Sequence, residues 1–180
     1  MEDDARLVAA ARSGDLEAFA ELVRRHELRV RSVLHRLLDD PRDVEEAAQD
    51  TFVQAWRNLD RFAGRSQLFT WLYRIAANEA MMRRRRKRHP EVELDEAAER
   101  VAPSPPPHVE AEGEELRRFL DEVLRALPFE YRAPIVLRDV EGLSNQEVAD
   151  VLGLTVEAAK SRIHRARLRV RAALDDRLSE

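Results

Sequence analysis

The chain has 180 residues, with 31 Lys and Arg against 35 Asp and Glu, a formal net charge of -4 and a pI near 5.8. Those totals argue against a wholesale basic nucleic-acid binder, and the absence of cysteine excludes a disulfide framework, thiolate metal sites and cysteine nucleophiles. The amino terminus MEDDARLVAA is acidic where a secretory signal is positive, and no stretch nears the ~20 apolar residues of a membrane span, so a soluble cytoplasmic protein without membrane insertion is expected.

Apolar residues recur at helical spacing throughout and no alternating strand pattern competes, which predicts an all-α fold. A short first helix ends near Ser13-Gly14. Asp15 can cap a second helix with Phe19, Leu22, Val23, Val30, Val33, Leu34 and Leu37 on one face, a stripe that His26 shares. After Asp40, Pro41 suits the first position of a third helix, whose Val44, Ala47, Ala48, Thr51, Phe52, Ala55, Trp56 and Leu59 step inward by three and four. Its opposite face carries Asp43, Glu45, Glu46, Gln49 and Asp50. A polar break from Asp60 to Gln67 precedes a helix with Leu68, Trp71, Leu72, Ile75 and Ala76 inward. That helix runs out into Arg83-Arg84-Arg85-Arg86-Lys87-Arg88.

Residues 89–113 are acidic and Pro-rich and read as a flexible linker. Beyond it, Leu116, Phe119, Leu120, Val123, Leu124 and Leu127 predict a helix stopped at Pro128, and another runs through Tyr131 and Ile135 to Gly142, with Pro134 expected to kink it or shift its start. The expected layout is two small helical domains, 1–88 and 114–180, joined by the linker.

Charge is segregated along this layout. Residues 61–90 hold nine basic side chains and one acidic, residues 156–180 hold seven and four, and residues 91–122 between them hold three and eleven. In the second domain, Ser144 followed by Glu147 is a capping box, Gly153 can end that helix, and Thr155 can cap the next. Two helices joined this way form a helix-turn-helix, whose second helix enters the major groove. Its outward face offers Glu157, Ala158, Lys160, Ser161, Arg162, His164 and Arg165. In the first domain, residues 61–88 set Phe62, Phe69, Trp71 and Tyr73 among arginines, the mixture of cations and aromatic faces that holds single-stranded DNA. Trp71 falls at core spacing, whereas Phe62 and Phe69 flank the polar loop and are expected to be exposed.

Nothing points to catalysis. The five histidines are dispersed, with no metal-ligand spacing, phosphate loop or nucleophile elbow, so no catalytic, metal or cofactor site is expected and the protein is read as a non-enzyme. A free-standing helix-turn-helix regulator is the alternative reading of the same residues.

Taken together, DVEEAAQDTFVQAWRNLDRF, FTWLYRIAANEAMMRRRRKR and LPFEYRAPIVLRDVEGLSNQEVADVLGLTVEAAKSRIHRAR resemble the group IV, extracytoplasmic-function (ECF) class of sigma-70 RNA polymerase sigma factors. The resemblance implies a bacterial factor with sigma regions 2 and 4 that binds core RNA polymerase and directs promoter-specific initiation. It implies that Asp43, Glu46, Gln49 and Asp50 dock on the clamp helices of the largest subunit, with the polymerase flap as a further contact. Phe62, Arg65, Ser66 and Phe69 would capture a flipped base of the minus-ten element, and Arg74, Asn78, Arg83 and Arg84 would track that element. Lys160, Ser161, Arg162 and Arg165 would read the minus-thirty-five element, and an anti-sigma factor is a candidate partner. Two departures from the family pattern stand out: Glu157-Ala158-Ala159 before the Lys-Ser-Arg, and Met81-Met82 before the basic run.

Overall fold

A computed structural model describes residues 2–64, 66–88 and 111–178; Arg65 and most of the expected linker lie outside the described residues. Among the described residues eight helices follow one another: α1 (Glu2–Arg12), α2 (Leu16–Leu37), α3 (Pro41–Arg57), α4 (Leu68–Arg88), α5 (Ala111–Ala126), α6 (Phe129–Ile135), α7 (Asn145–Leu152) and α8 (Val156–Leu178). A 3-10 turn, Leu59–Arg61, lies between α3 and α4, and there is no strand among the described residues.

Local chemistry sets most of the boundaries. The Asp15 carboxylate accepts from the Glu17 and Ala18 amides at 3.0 and 3.1 Å, so two otherwise free donors at the start of α2 are satisfied. Asp40 does the same for α3 through the Arg42 amide at 2.9 Å, with Pro41 in the first turn where no N–H is needed. The long α2 is the central helix, packed by α1, α3 and α4, with Val33, Leu34 and Leu37 fully buried. α5 begins at Ala111, just inside the segment expected to be linker.

Pro134 produces a change of helix type. It lacks the amide that would bond the carbonyl of Glu130, and after Ile135 the helix widens into a π turn over Val136–Val140, closed by the Glu141 amide on the Val136 carbonyl at 3.0 Å.

The two halves share one core. Tyr73, Ala76, Ala77 and Ala80 of α4 belong to the same buried cluster as Val136, Leu137, Leu143, Val148 and Ala149 of the carboxy-terminal half, and α7 packs directly on α4. Polar bonds that cross the seam include those from the Tyr73 hydroxyl to Glu141 (2.5 Å), from the Thr70 hydroxyl to Glu147 (3.2 Å), and from the Arg132 guanidinium to Asp39 (2.8 Å). Tyr73, Thr70 and Arg132 are all nearly inaccessible to solvent, so each would leave an unsatisfied buried group if its partner were lost while the halves stayed together.

Candidate nucleic-acid and polymerase interfaces

The polar segment ahead of α4 is anchored at its first residue. Phe62 does not project into solvent as expected: it is 9% exposed, its ring 5.3 Å from that of Trp71, because the 3-10 turn aims it back at α4. Phe69 is half-buried, its ring 5.8 Å from Tyr73, with the Arg29 guanidinium of α2 lying 4.7 Å over its face. Ser66 is exposed, Gly64 takes the left-handed φ of +68° that the turn requires, and Arg65 lies outside the described residues.

On α4, Arg74 and Asn78 are exposed, and the row they start continues through exposed Met82 and Arg85. Arg83 and Arg84 point elsewhere. Arg83 is 8% exposed, bonding Glu79 at 2.8 Å and Asp50 of α3 at 2.6 Å. Burial disfavours its charge, but Asp50 and Glu79 outweigh this and hold its pKa above the ordinary value. Arg84 is half-buried, 3.6 Å from Asp39 and stacked over Phe129 at 5.1 Å. Within one basic run, then, successive residues stitch helices together while Arg85 and Arg86 face solvent.

The acidic face of α3 keeps Glu46, Gln49 and Asp50 exposed, with Asp43 more enclosed. Part of its charge is met internally: Lys87 reaches Asp43 at 2.6 Å and Asp40 at 3.2 Å, and Arg83 reaches Asp50. The same outer face carries two apolar residues, Val53 (46% exposed) and Trp56 (36%). The spacing of Trp56 predicts an inward position; its ring instead lies along the surface against Phe19, 4.8 Å away. Helical spacing alone could not separate a core position from a rim position there.

The helix-turn-helix is built as the sequence predicts. Glu147 Oε2 accepts from the Ser144 amide at 2.8 Å, and the Ser144 hydroxyl accepts from the Glu147 amide at 3.2 Å. Gly153 ends α7 at φ +64°, and Thr155 accepts from the Ala158 amide at 3.1 Å. Ala159, Ile163 and Ala166 of α8 are buried, so Lys160, Ser161, His164 and Arg165 are exposed, with Arg162 half-buried.

The Ser144 backbone amide, chiefly, holds Glu147 below the ordinary carboxylate pKa. Its stabilising contribution is therefore present above about pH 4.5 and is lost as pH falls through the depressed folded value. Glu147→Gln is expected to lower stability at pH 7 by about 0.5–1 kcal/mol, with solvent screening limiting the effect. The difference in Tm from wild type narrows as the pH is taken below 4, and a gap constant with pH would show that the charge contributes nothing.

Among the described residues no cluster of His, Asp and Glu has the arrangement of a metal site, and no helix is long and apolar enough to cross a membrane. The model of sigma-70 region 2 matches residues 22–89, and that of sigma-70 region 4 matches residues 118–170. The chain is 31% identical to the RNA polymerase sigma-H factor of Pseudomonas aeruginosa, over 99% of its own length and 97% of the relative's. It is 35% identical to the ECF RNA polymerase sigma-E factor of Escherichia coli K12, over 91% and 90%. The chain belongs to the ECF class of the sigma-70 family. A sigma factor of this class acts in directing transcription initiation. Among solved structures, this sigma factor resembles CnrH bound to the cytosolic domain of CnrY (TM-score 0.71, 33% identity, 97% of this chain and 98% of that one). It also resembles RpoE bound to the anti-sigma factor NepR from Bartonella quintana (TM-score 0.68, 25% identity, 89% and 98%). In this sigma factor α2–α4 carry the region 2 match and α5–α8 the region 4 match, while α1 precedes both.

Proposed function

We propose that this sigma factor binds core RNA polymerase through the outer face of α3 and uses two separate surfaces on promoter DNA. The α3 face would combine the acids Asp43, Glu46 and Asp50 and the amide of Gln49 with the apolar Val53 and Trp56, so that desolvation as well as charge contributes to docking. Phe69, Ser66 and the segment between Phe62 and α4, together with Arg74 and Asn78, would hold the minus-ten element and a flipped base. Lys160, Ser161, Arg162 and Arg165 would read the minus-thirty-five element. Functionally the chain divides into residues 1–88, a linker 89–113, and residues 114–180. The observation carrying this reading is the pair of exposed polar faces, Arg74 and Asn78 on α4 and Lys160 to Arg165 on α8, each backed by a buried row.

The arrangement of the halves adds a condition. Elements about 25 base pairs apart lie roughly 85 Å apart at about 3.4 Å per base pair. Reading helices whose supports pack directly on each other cannot span that distance. The seam between α4 and α7 has to part before both elements are engaged, and polymerase docking is the event that would separate the halves. In the CnrH and RpoE structures a second protein is bound, and we propose that an anti-sigma factor is likewise a partner here.

The test is transcription in vitro with core polymerase and a promoter mapped from transcript start sites after overexpression. Transcripts are expected only when this protein is added, and Asp50→Arg with Glu46→Arg should abolish them while leaving α8 intact. Tight specific binding to promoter DNA by the protein alone, with no effect on polymerase, would instead support a free-standing regulator.

A further inference from the structure

We infer that Arg12, at the end of α1, is a positioning residue that aims the base-capture segment; the inference rests on the proposed minus-ten reading. Arg12 lies outside the matched stretch 22–89, on a helix the region 2 model does not cover. After it the chain reverses through Ser13 and Gly14 (φ +97°) into α2. The reversal leaves its side chain beside the 3-10 turn, 47 to 50 residues further along.

One guanidinium there bridges two carbonyls. Its Nε donates to the Leu59 carbonyl at 3.1 Å and its Nη2 donates to the Phe62 carbonyl. The Leu59 carbonyl also accepts the Phe62 amide at 3.1 Å, so the fork ties the start of the turn to the residue that leaves it. Phe62 is thereby held at both ends, its ring against Trp71 and its carbonyl by Arg12. Ala63 and Gly64, which follow, are exposed, and the direction in which they leave is inherited from the peptide that Arg12 fixes. A guanidinium holds its donors in a fixed planar fork, whereas a lysine ammonium carries three donors on a flexible stem and fixes two carbonyls less rigidly. Holding a recognition loop in its productive geometry raises affinity by removing the ordering cost at binding.

The experiment uses holoenzyme reconstituted from core polymerase and the full chain. The probes are a single-stranded oligonucleotide with the nontemplate minus-ten sequence of a mapped promoter, and the same oligonucleotide with an abasic site at the flipped position. Arg12→Ala is expected to bind the intact oligonucleotide about tenfold more weakly than wild type, in the range of one base contact. On the abasic probe the two proteins are expected to bind equally, because the base that the loop would hold is gone. Arg12→Lys is expected to fall between them, and it carries the comparison if the alanine variant melts below the assay temperature. Equal binding of the intact probe, or an equal loss on both probes, would overturn the inference. A wild-type holoenzyme indifferent to the abasic site would fail the minus-ten reading itself and the role of Arg12 with it.

Discussion

Arg83→Met is expected to lower the stability of the free protein by about 3–5 kcal/mol, the effect of stranding a buried charge. Glu79, on the same helix four residues earlier, is 7% exposed and 2.8 Å from Arg83, so removing the guanidinium leaves a carboxylate with little water to solvate it. Asp50 loses the same partner but is half exposed and suffers less. The double variant Arg83→Met with Glu79→Gln is expected to recover much of the loss, since the uncompensated charge is then gone. Arg74→Ala is the contrast: exposed and on the outward row, it should shift stability by less than about 0.5 kcal/mol. It should also reduce the salt dependence of promoter binding by holoenzyme by about one unit of slope. Urea denaturation of all three variants, with salt titration of the last, separates an arginine that holds α4 to α3 from one that meets DNA.

The second large effect concerns the seam. Glu141→Ala should move the free protein toward an open arrangement by about 5- to 150-fold, the equivalent of about 1–3 kcal/mol for a buried donor left unpaired. Burial, reinforced by Glu141, pushes the Tyr73 phenol above its ordinary pKa, so it remains a donor at any pH at which the protein folds. With the carboxylate gone, its hydroxyl is unsatisfied while α7 covers α4 and hydrated once α7 leaves. Arg29, 3.8 Å from Glu141, loses an anionic neighbour at the same time. Because the chain contains no cysteine, single cysteines introduced at the exposed Arg57 and Ala172 accept one dye each. The free wild type should give a short interdye distance and Glu141→Ala a longer one, with core polymerase lengthening both to the same value. A free wild type already at the long distance would show that the packed arrangement is not its resting state in solution.

How much of this was legible depended on how local the cause was. Asp15, Asp40, Ser144 with Glu147, and Gly153 act within three or four residues, and a reader of the sequence meets cause and effect together. The pair Glu79–Arg83 also sits at a readable spacing. Yet in a run of six cations nothing local distinguishes Arg83 from Arg85; the difference is Asp50, on another helix. Phe62 is buried and Trp56 exposed, the reverse of what their spacing suggests, because spacing defines a face but not what covers it. Arg12 reads as one more basic residue in the last turn of a helix, a favourable place for any cation, and its partners lie some fifty residues away. The shared core of the two halves was equally hidden, because the α4 residues that enter it, Tyr73 and three alanines, pass for the inner row of a self-contained bundle.

Glu147 divides its two oxygens between two tasks, Oε2 to the amide at the start of α7 and Oε1 to Thr70 across the seam. If the seam parts as proposed, losing the second bond would leave the first in place, and the cap that starts α7 would survive the separation. A separation that keeps its helices would belong with collective domain motions, on the order of microseconds to milliseconds. Polymerase docking would then release a helix-turn-helix whose first helix is already capped when it meets DNA.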